Sequence, residues 1–139
     1  MKETLKPGLK MTRRIIVDQP RTIDFLDGDV GKLRVYATPS IVNDAEHACR
    51  DLVLEHFDAG EDCLGTRVEI RHLAATPVGM WVEVSVELAA VKGRALCFRF
   101  KVVDAIDTVA EGEHDRFIVD LTKVGDRLAA KMAKAEAAR

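Results

Sequence analysis

Four stretches in the second half of the chain alternate apolar and polar residues with period two. In 66–74, Val68, Ile70 and His72 share one face while Arg67, Glu69 and Arg71 share the other. In 80–91, Val82, Val84, Val86 and Leu88 stand against Glu83, Ser85 and Glu87. After the tight reversal expected at Lys92-Gly93-Arg94, Leu96, Phe98, Phe100 and Val102 face inward, opposite Arg99 and Lys101. The last such stretch, 108–119, is interrupted by Gly112. Period two with one wet face predicts an antiparallel sheet. Upstream, 11–17 predicts a first strand and 21–26 a short continuation or a second one.

Between these strands the period changes. Ile41, Ala45, Ala48, Leu52 and His56 recur at three- and four-residue steps, and Val42, Cys49 and Val53 widen the stripe. That spacing predicts a helix that is apolar over much of its circumference and sits against a sheet. Thr38 is its expected N-cap, with Pro39 at the first helical position, where no backbone bond is lost. The helix should stop near Phe57, before Asp58-Ala59-Gly60. Asp27-Gly28-Asp29-Val30-Gly31 is turn chemistry. Residues 1–10 read as a flexible lead-in, and 121–139, rich in Ala and Lys, as a surface helix or frayed tail. The whole, 1–139, reads as one α+β domain: an antiparallel sheet wrapped around one long helix.

Composition narrows the function. A chain of 139 residues with 47% hydrophobic and 32% charged residues is ordinary for a globular domain with a real core. A net charge of −2, with Arg13-Arg14 the only basic doublet, gives no nucleic-acid footprint. No run approaches the roughly 20 apolar residues that span a bilayer. The odd set Cys49, Cys63 and Cys97 fits a reducing cytoplasm better than a disulfide framework, each as a small buried hydrophobe. No Gly-x-Ser-x-Gly elbow, phosphate loop or dinucleotide fingerprint is present, and no Cys/His/Asp cluster has metal-ligand spacing. Trp81, on the outward phase of its strand, could mark a subunit contact.

Three side chains carry candidate chemistry. His72 takes the inward phase of its strand, where an imidazole needs hydrogen-bond partners and can carry a proton near neutral pH. Glu46 lies two turns into an apolar helix, where a carboxylate is costly unless paired or working; a flank position reaching solvent, beside Asp44 and His47, is the other reading. Thr38 is a cap, a functional hydroxyl, or both. Eight positions separate Thr38 from Glu46, about 12 Å of helix axis, so the two cannot bond directly. An imidazole or a substrate could lie between them. Unsatisfied N–H groups at the helix N-terminus suit a developing oxyanion.

Taken in order, Thr38-Pro39, Glu46, Gly65 and His72 resemble the fluoroacetyl-CoA thioesterase family within the hot-dog-fold acyl-CoA thioesterases. The likeness runs from about Val35 to Lys123. It implies a hot-dog fold and hydrolysis of an acyl-CoA without metal or organic cofactor. It also implies a catalytic set of Thr38, Glu46 and His72, with Gly65 contacting the acyl group. Glu46 would be nucleophile or general base and His72 a proton shuttle, while a Thr38 nucleophile is the competing assignment. His114 and Arg116 echo the family's late strand, in structural or CoA-contacting roles; Arg116 is taken as substrate-binding. The resemblance further implies a homodimer with sites at the subunit junction, in keeping with the tendency of native proteins to cover open strand edges. The chain departs from the fluoroacetate-specific members in having no Phe between Phe25 and Phe57, where theirs carry a phenylalanine lid; Lys32 and Arg34 stand there instead. A non-catalytic acyl-CoA-binding hot-dog module is the alternative function.

Overall fold

The computed structural model describes residues 1–24 and 33–139. The expected turn at 27–31 lies outside them, as does Lys32. In chain order the elements are β1 (Lys10–Ile16), a single 3-10 turn (Gln19–Arg21), β2 (Thr22–Asp24), β3 (Arg34–Tyr36), α1 (Thr38–Leu54), β4 (Glu61–His72), β5 (Trp81–Lys92), β6 (Ala95–Val103), β7 (Thr108–Asp120) and α2 (Leu121–Ala137). Five strands form one antiparallel sheet in the order β1-β5-β6-β7-β4, and β2 pairs with β3 apart from it. β1 and β4 are therefore the two edges.

The alternation reads directly onto this sheet. Val82, Val84, Val86 and Leu88 of β5 are buried, as are Leu96, Phe98, Phe100 and Val102 of β6. They meet Ile41, Ala45, Ala48, Cys49 and Val53 of α1, which lies across one face of the sheet over β5, β4 and β1. The helix thus rests on a sheet face, and its outer side is wet: Asn43, His47 and Asp51 are exposed. It also stops at Leu54, three residues short of the expected end. Gly93, at φ +61°, makes the β5–β6 reversal in a conformation that side chains rarely adopt.

At the margins two expectations change, those for residues 1–10 and Trp81, and that for the tail is met as a helix. Residues 1–10 are tied to the body: Lys2 N–H donates to the His56 carbonyl at 2.8 Å, Leu5 is buried, and Gly8 N–H donates to the Leu88 carbonyl at 2.8 Å. The tail is a surface helix with no buried residue, capped by Asp120, whose carboxylate accepts from the N–H groups of Thr122 and Lys123 at 2.9 and 3.2 Å. Trp81 is half-buried because the Arg14 guanidinium of β1 lies 4.0 Å over its ring.

β7 is continuous through Gly112, and the reason is the next strand. A Cβ built there would lie 2.0 Å from the Glu69 carbonyl oxygen and 2.7 Å from Phe100. Glycine lets β4 and β7 pair closely at this register, where Ile70 faces Gly112. A bulge between Gly65 and Arg67 then shifts the phase of β4. As a result both Gly65 and Val68 fall opposite helix-facing residues of β7, Arg116 and His114. Val68, Ile70 and His72 keep the expected phase but not the expected burial. Val68 and His72 are exposed and Ile70 is half-buried, because β4 is an edge strand that the helix covers only in part.

Candidate active site

Two clusters of functional side chains lie along β4, one toward each end. The first is at the start of α1. Ala37, not Thr38, is the N-cap: it is extended, its carbonyl accepts from Ser40 and Ile41, and it has no side-chain cap. Thr38 is the first helical residue, and its hydroxyl instead bonds His72 Nδ1 at 2.7 Å. Either atom can donate. Both residues border a shallow, mainly apolar cleft of about 310 Å³ lined by Ile23, Val35, Leu73 and Ala74. The hydroxyl–imidazole pair is open to solvent beside the Thr38 N–H at the helix start; Pro39 has no N–H, and those of Ser40 and Ile41 go to the Ala37 carbonyl.

The second cluster surrounds Gly65. A Cβ there would lie 3.0 Å from Glu46 Oε1, 3.2 Å from His114 Cε1 and 3.5 Å from an Arg116 terminal nitrogen. Glu46 is half-buried, leaning from α1 over the strand. Arg116 is buried, and each of its three nitrogens makes one hydrogen bond. Its Nε donates to Cys63 Sγ at 3.0 Å, one terminal nitrogen donates to the Cys63 carbonyl at 2.8 Å, and the other donates to His114 Nε2 at 3.2 Å. His114 is wholly buried, stacked on Phe98, with Nδ1 bonded to the Arg67 carbonyl at 2.8 Å. Its Nε2 is 3.8 Å from Glu46 Oε1. Burial chiefly holds the imidazole below the ordinary histidine range; the Arg67 carbonyl and Glu46 oppose that, and Arg116 reinforces it. Burial likewise raises the Cys63 thiol, against the neighbouring Arg116, so it stays protonated at neutral pH.

A third polar group lies behind the first cluster. Asp44 is buried and accepts from Tyr36 Oη at 2.5 Å, from Arg21 Nε at 2.9 Å and from a second Arg21 nitrogen at 3.2 Å. Tyr36 is fully buried, and burial followed by the Asp44 bond pushes its phenol far above the ordinary range. These bonds fix β3, the turn before β2 and the first turns of α1 to one another. Thr38 therefore starts from a rigid base.

The residues expected from the sequence thus divide. Thr38 and His72 are brought together, and Gly65, Glu46, Arg116 and His114 are brought together. Thr38 and Glu46 stand eight helix positions apart; the His72 imidazole bonds the first, and the His114 imidazole lies 3.8 Å from the second. Sequence reasoning missed Cys63, whose sulfur and carbonyl hold Arg116, and it missed Asp44, read as a solvent-facing neighbour of Glu46. The alternation Cys63-x-Gly65 could have placed the cysteine on the site face. Nothing local marks Asp44, whose partners lie 8 and 23 positions away. Among the described residues no group of three or more His, Cys, Asp or Glu is arranged to hold a metal ion, and no helix is long and apolar enough to cross a membrane.

Comparison with known proteins follows the same geometry. Residues 17–122 match the profile of the family described as FlK, fluoroacetyl-CoA-specific thioesterase. The fluoroacetyl-CoA thioesterase of Streptantibioticus cattleyicolor is 31% identical over 135 residues, covering 94% of this chain and 97% of that protein. A solved structure of the fluoroacetyl-CoA thioesterase FlK superposes with a TM-score of 0.81 at 30% identity, covering 91% of this chain and 97% of the other. A Thermus thermophilus member of the thioesterase superfamily superposes at 0.84 with 27% identity, covering 94% and 96%. The fold is thus the hot-dog fold of thioesterases. With three quarters of its length inside the profile and a relative this similar across nearly all of both chains, the protein belongs to the fluoroacetyl-CoA-specific thioesterase family.

Proposed function

We propose that this thioester hydrolase cleaves a short acyl-CoA to the carboxylic acid and CoA, in a homodimer whose sites form at the subunit junction from Thr38, Glu46 and His72. The observation that carries this is the division of the site along one open strand edge. β4 offers an unpaired edge of 12 residues, with the hydroxyl–imidazole pair toward one end and the carboxylate toward the other. A two-fold antiparallel pairing of this edge with a second copy carries the Thr38–His72 end of each strand toward the Gly65 end of the other. It also covers Val68 and Leu64, whose side chains are about half exposed.

In such a site Glu46 stands on one side of the thioester carbonyl. As general base it takes a proton from water while the water oxygen bonds to the carbonyl carbon. As nucleophile it forms an acyl anhydride that water then opens. In both routes the C–S bond breaks, the electron pair goes to sulfur, and His72 delivers the proton that makes the free thiol. Thr38 orients His72 or, in the competing route, itself attacks the carbonyl. The Thr38 N–H at the α1 start and the Arg116 guanidinium suit the negative charge that develops on the carbonyl oxygen. Gly65 leaves room for the acyl group. No metal or organic cofactor enters either route. Because no phenylalanine lies between Phe25 and Phe57, discrimination between acetyl-CoA and fluoroacetyl-CoA should be weak; residues 26–32 of that segment lie outside the described residues.

The test is thiol release across a panel of short and medium acyl-CoAs, with light scattering at micromolar protein. Release of thiol from a dimer is the expected result. Tight acyl-CoA binding without release would replace hydrolysis with the binding-module reading. A stable monomer with full turnover would remove the shared site. A preference of several orders of magnitude for the fluorinated thioester would overturn the weak-discrimination reading.

A further inference from the structure

His114 is a buried imidazole that no step above uses, and its surroundings leave it one protonation form. Its Nδ1 faces a carbonyl, that of Arg67, which can only accept; so Nδ1 carries the hydrogen. Its Nε2 faces a guanidinium, that of Arg116, which can only donate; so Nε2 offers its lone pair. The ring cannot swing out of this arrangement, because it is wholly buried and stacked on Phe98 at 6.3 Å between centroids. Glu46 Oε1 at 3.8 Å is beyond hydrogen-bond range of Nε2, which has no hydrogen to share.

The same contact settles where Arg116 points. Two of its nitrogens are spent on Cys63, and the third, held by His114, lies beside the space that a side chain at Gly65 would fill. The geometry points to His114 as a positioning residue for the reaction. As a neutral Nε2 acceptor it aims the Arg116 guanidinium at the Gly65–Glu46 space, and on protonation it releases Arg116 and draws the Glu46 carboxylate, 3.8 Å away, onto its new N–H. This rests on the hydrolase reading above. Protonated His114 would put two cations side by side and engage the carboxylate that the reaction needs free. Acid should therefore inactivate by two coupled routes. The charged groups that act on the ring are Glu46 of α1 and Asp115 and Arg116 of β7; behind them Cys63 of β4 holds Arg116, Cys49 of α1 lies near Arg116 and Glu46, Cys97 of β6 bonds Asp115, and Phe98 of β6 stacks on the ring. Of these, Cys49 and Cys63 are pushed upward by burial, Cys49 to about 12, so neither ionises in the acid range.

The experiment joins pH–rate profiles with imidazole ¹⁵N NMR of the full-length protein. His114 should show a hydrogen on Nδ1 and none on Nε2 at pH 7, and an acid limb of kcat/KM should follow its titration. His114→Leu, which keeps bulk but offers no acceptor, should lower kcat/KM by about 10–100-fold, the usual worth of a hydrogen bond to a charged group. His114→Gln, which restores an acceptor that does not titrate, should recover most of that loss and shift the acid limb to lower pH. A hydrogen on Nε2 at pH 7 would overturn the proposal, as would an unchanged acid limb in His114→Gln. Should His114→Leu fail to fold, the glutamine variant and the NMR tautomer decide alone. Should the wild type release no thiol, hydrolysis fails. Positioning is then judged by acyl-CoA affinity: equal affinity in wild type and His114→Leu sinks it, and a 10-fold or greater loss supports it.

Discussion

Two glycines on adjoining strands make opposite predictions, and together they test the site against the fold. Gly65→Ala places a Cβ 3.0 Å from Glu46 Oε1 and 3.2 Å from His114 Cε1. His114 is stacked and buried, so the carboxylate at the end of its flexible side chain is what moves. Relaxing that contact to an ordinary distance displaces it by about 0.5 Å. A misplacement of about 1 Å at a reacting group can cost about 10²-fold in rate, so roughly tenfold is expected here. Stability should barely change, because Gly65 has no positive φ and alanine in a strand gains about 0.5–1 kcal/mol over glycine. Gly112→Ala is the counterpart. Its Cβ would meet the Glu69 carbonyl oxygen at 2.0 Å, backbone that can yield only if β4 and β7 part. Overpacking of this kind costs about 3 kcal/mol, or about 10 °C in Tm for a domain of this size. The assay is kcat/KM for acetyl-CoA by thiol release, beside thermal unfolding of both variants. A Gly65→Ala protein with kcat/KM within twofold of wild type would refute the placement of Glu46 in the chemistry. An unfolded one would refute the geometry itself.

Three further outcomes follow from the same contacts. Glu46→Gln and His72→Ala should each lower turnover by about 10²–10⁴-fold with unchanged circular dichroism and Tm, since proton transfer is worth that much and both side chains are partly or fully exposed. Asp44→Ala should destabilise by about 1–3 kcal/mol in chemical denaturation, because it strands the buried Tyr36 hydroxyl, and pairing it with Tyr36→Phe should cost less than the sum of the two. For pH, the folded His114 binds its proton less readily than the unfolded chain. Its contribution is complete above about pH 6.5 and is lost as pH falls from there, by at most about 1.4 kcal/mol per pH unit, until the folded ring itself titrates. Denaturation between pH 7 and 5 should show that slope in wild type and a shallower one in His114→Gln.

The strands and the helix were legible because each is written in a local period that burial enforces. A residue of β5 or β6 is in or out by its parity, and both neighbouring strands agree with it. β4 was legible only in phase. Its alternation states which side chains point toward the helix. Whether anything covers them depends on the strand's place at the sheet edge, which no local pattern records. Thr38 shows a related limit. Thr-Pro is sound helix-start chemistry, but the choice between Ala37 and Thr38 as cap turned on a hydrogen bond to His72, 34 positions away.

Asp44 and Glu46 put the limit most sharply, because the sequence offers the same argument for both. Each is a carboxylate on one helix, two positions apart, and the apolar stripe places neither unambiguously inside. What separates them is long-range. Asp44 turns toward Arg21 and Tyr36, which satisfy its oxygens and bury it. Glu46 turns toward a glycine, an arginine already committed to Cys63 and His114, and an imidazole too far to bond. A carboxylate whose neighbours are all engaged elsewhere is held in place without being neutralised, whereas one with a guanidinium and a phenol of its own is a structural pin. What favours Glu46 over Asp44 for the proposed chemistry is therefore the incompleteness of its own partners. That property belongs to the folded arrangement, and eight positions of helix sequence cannot contain it.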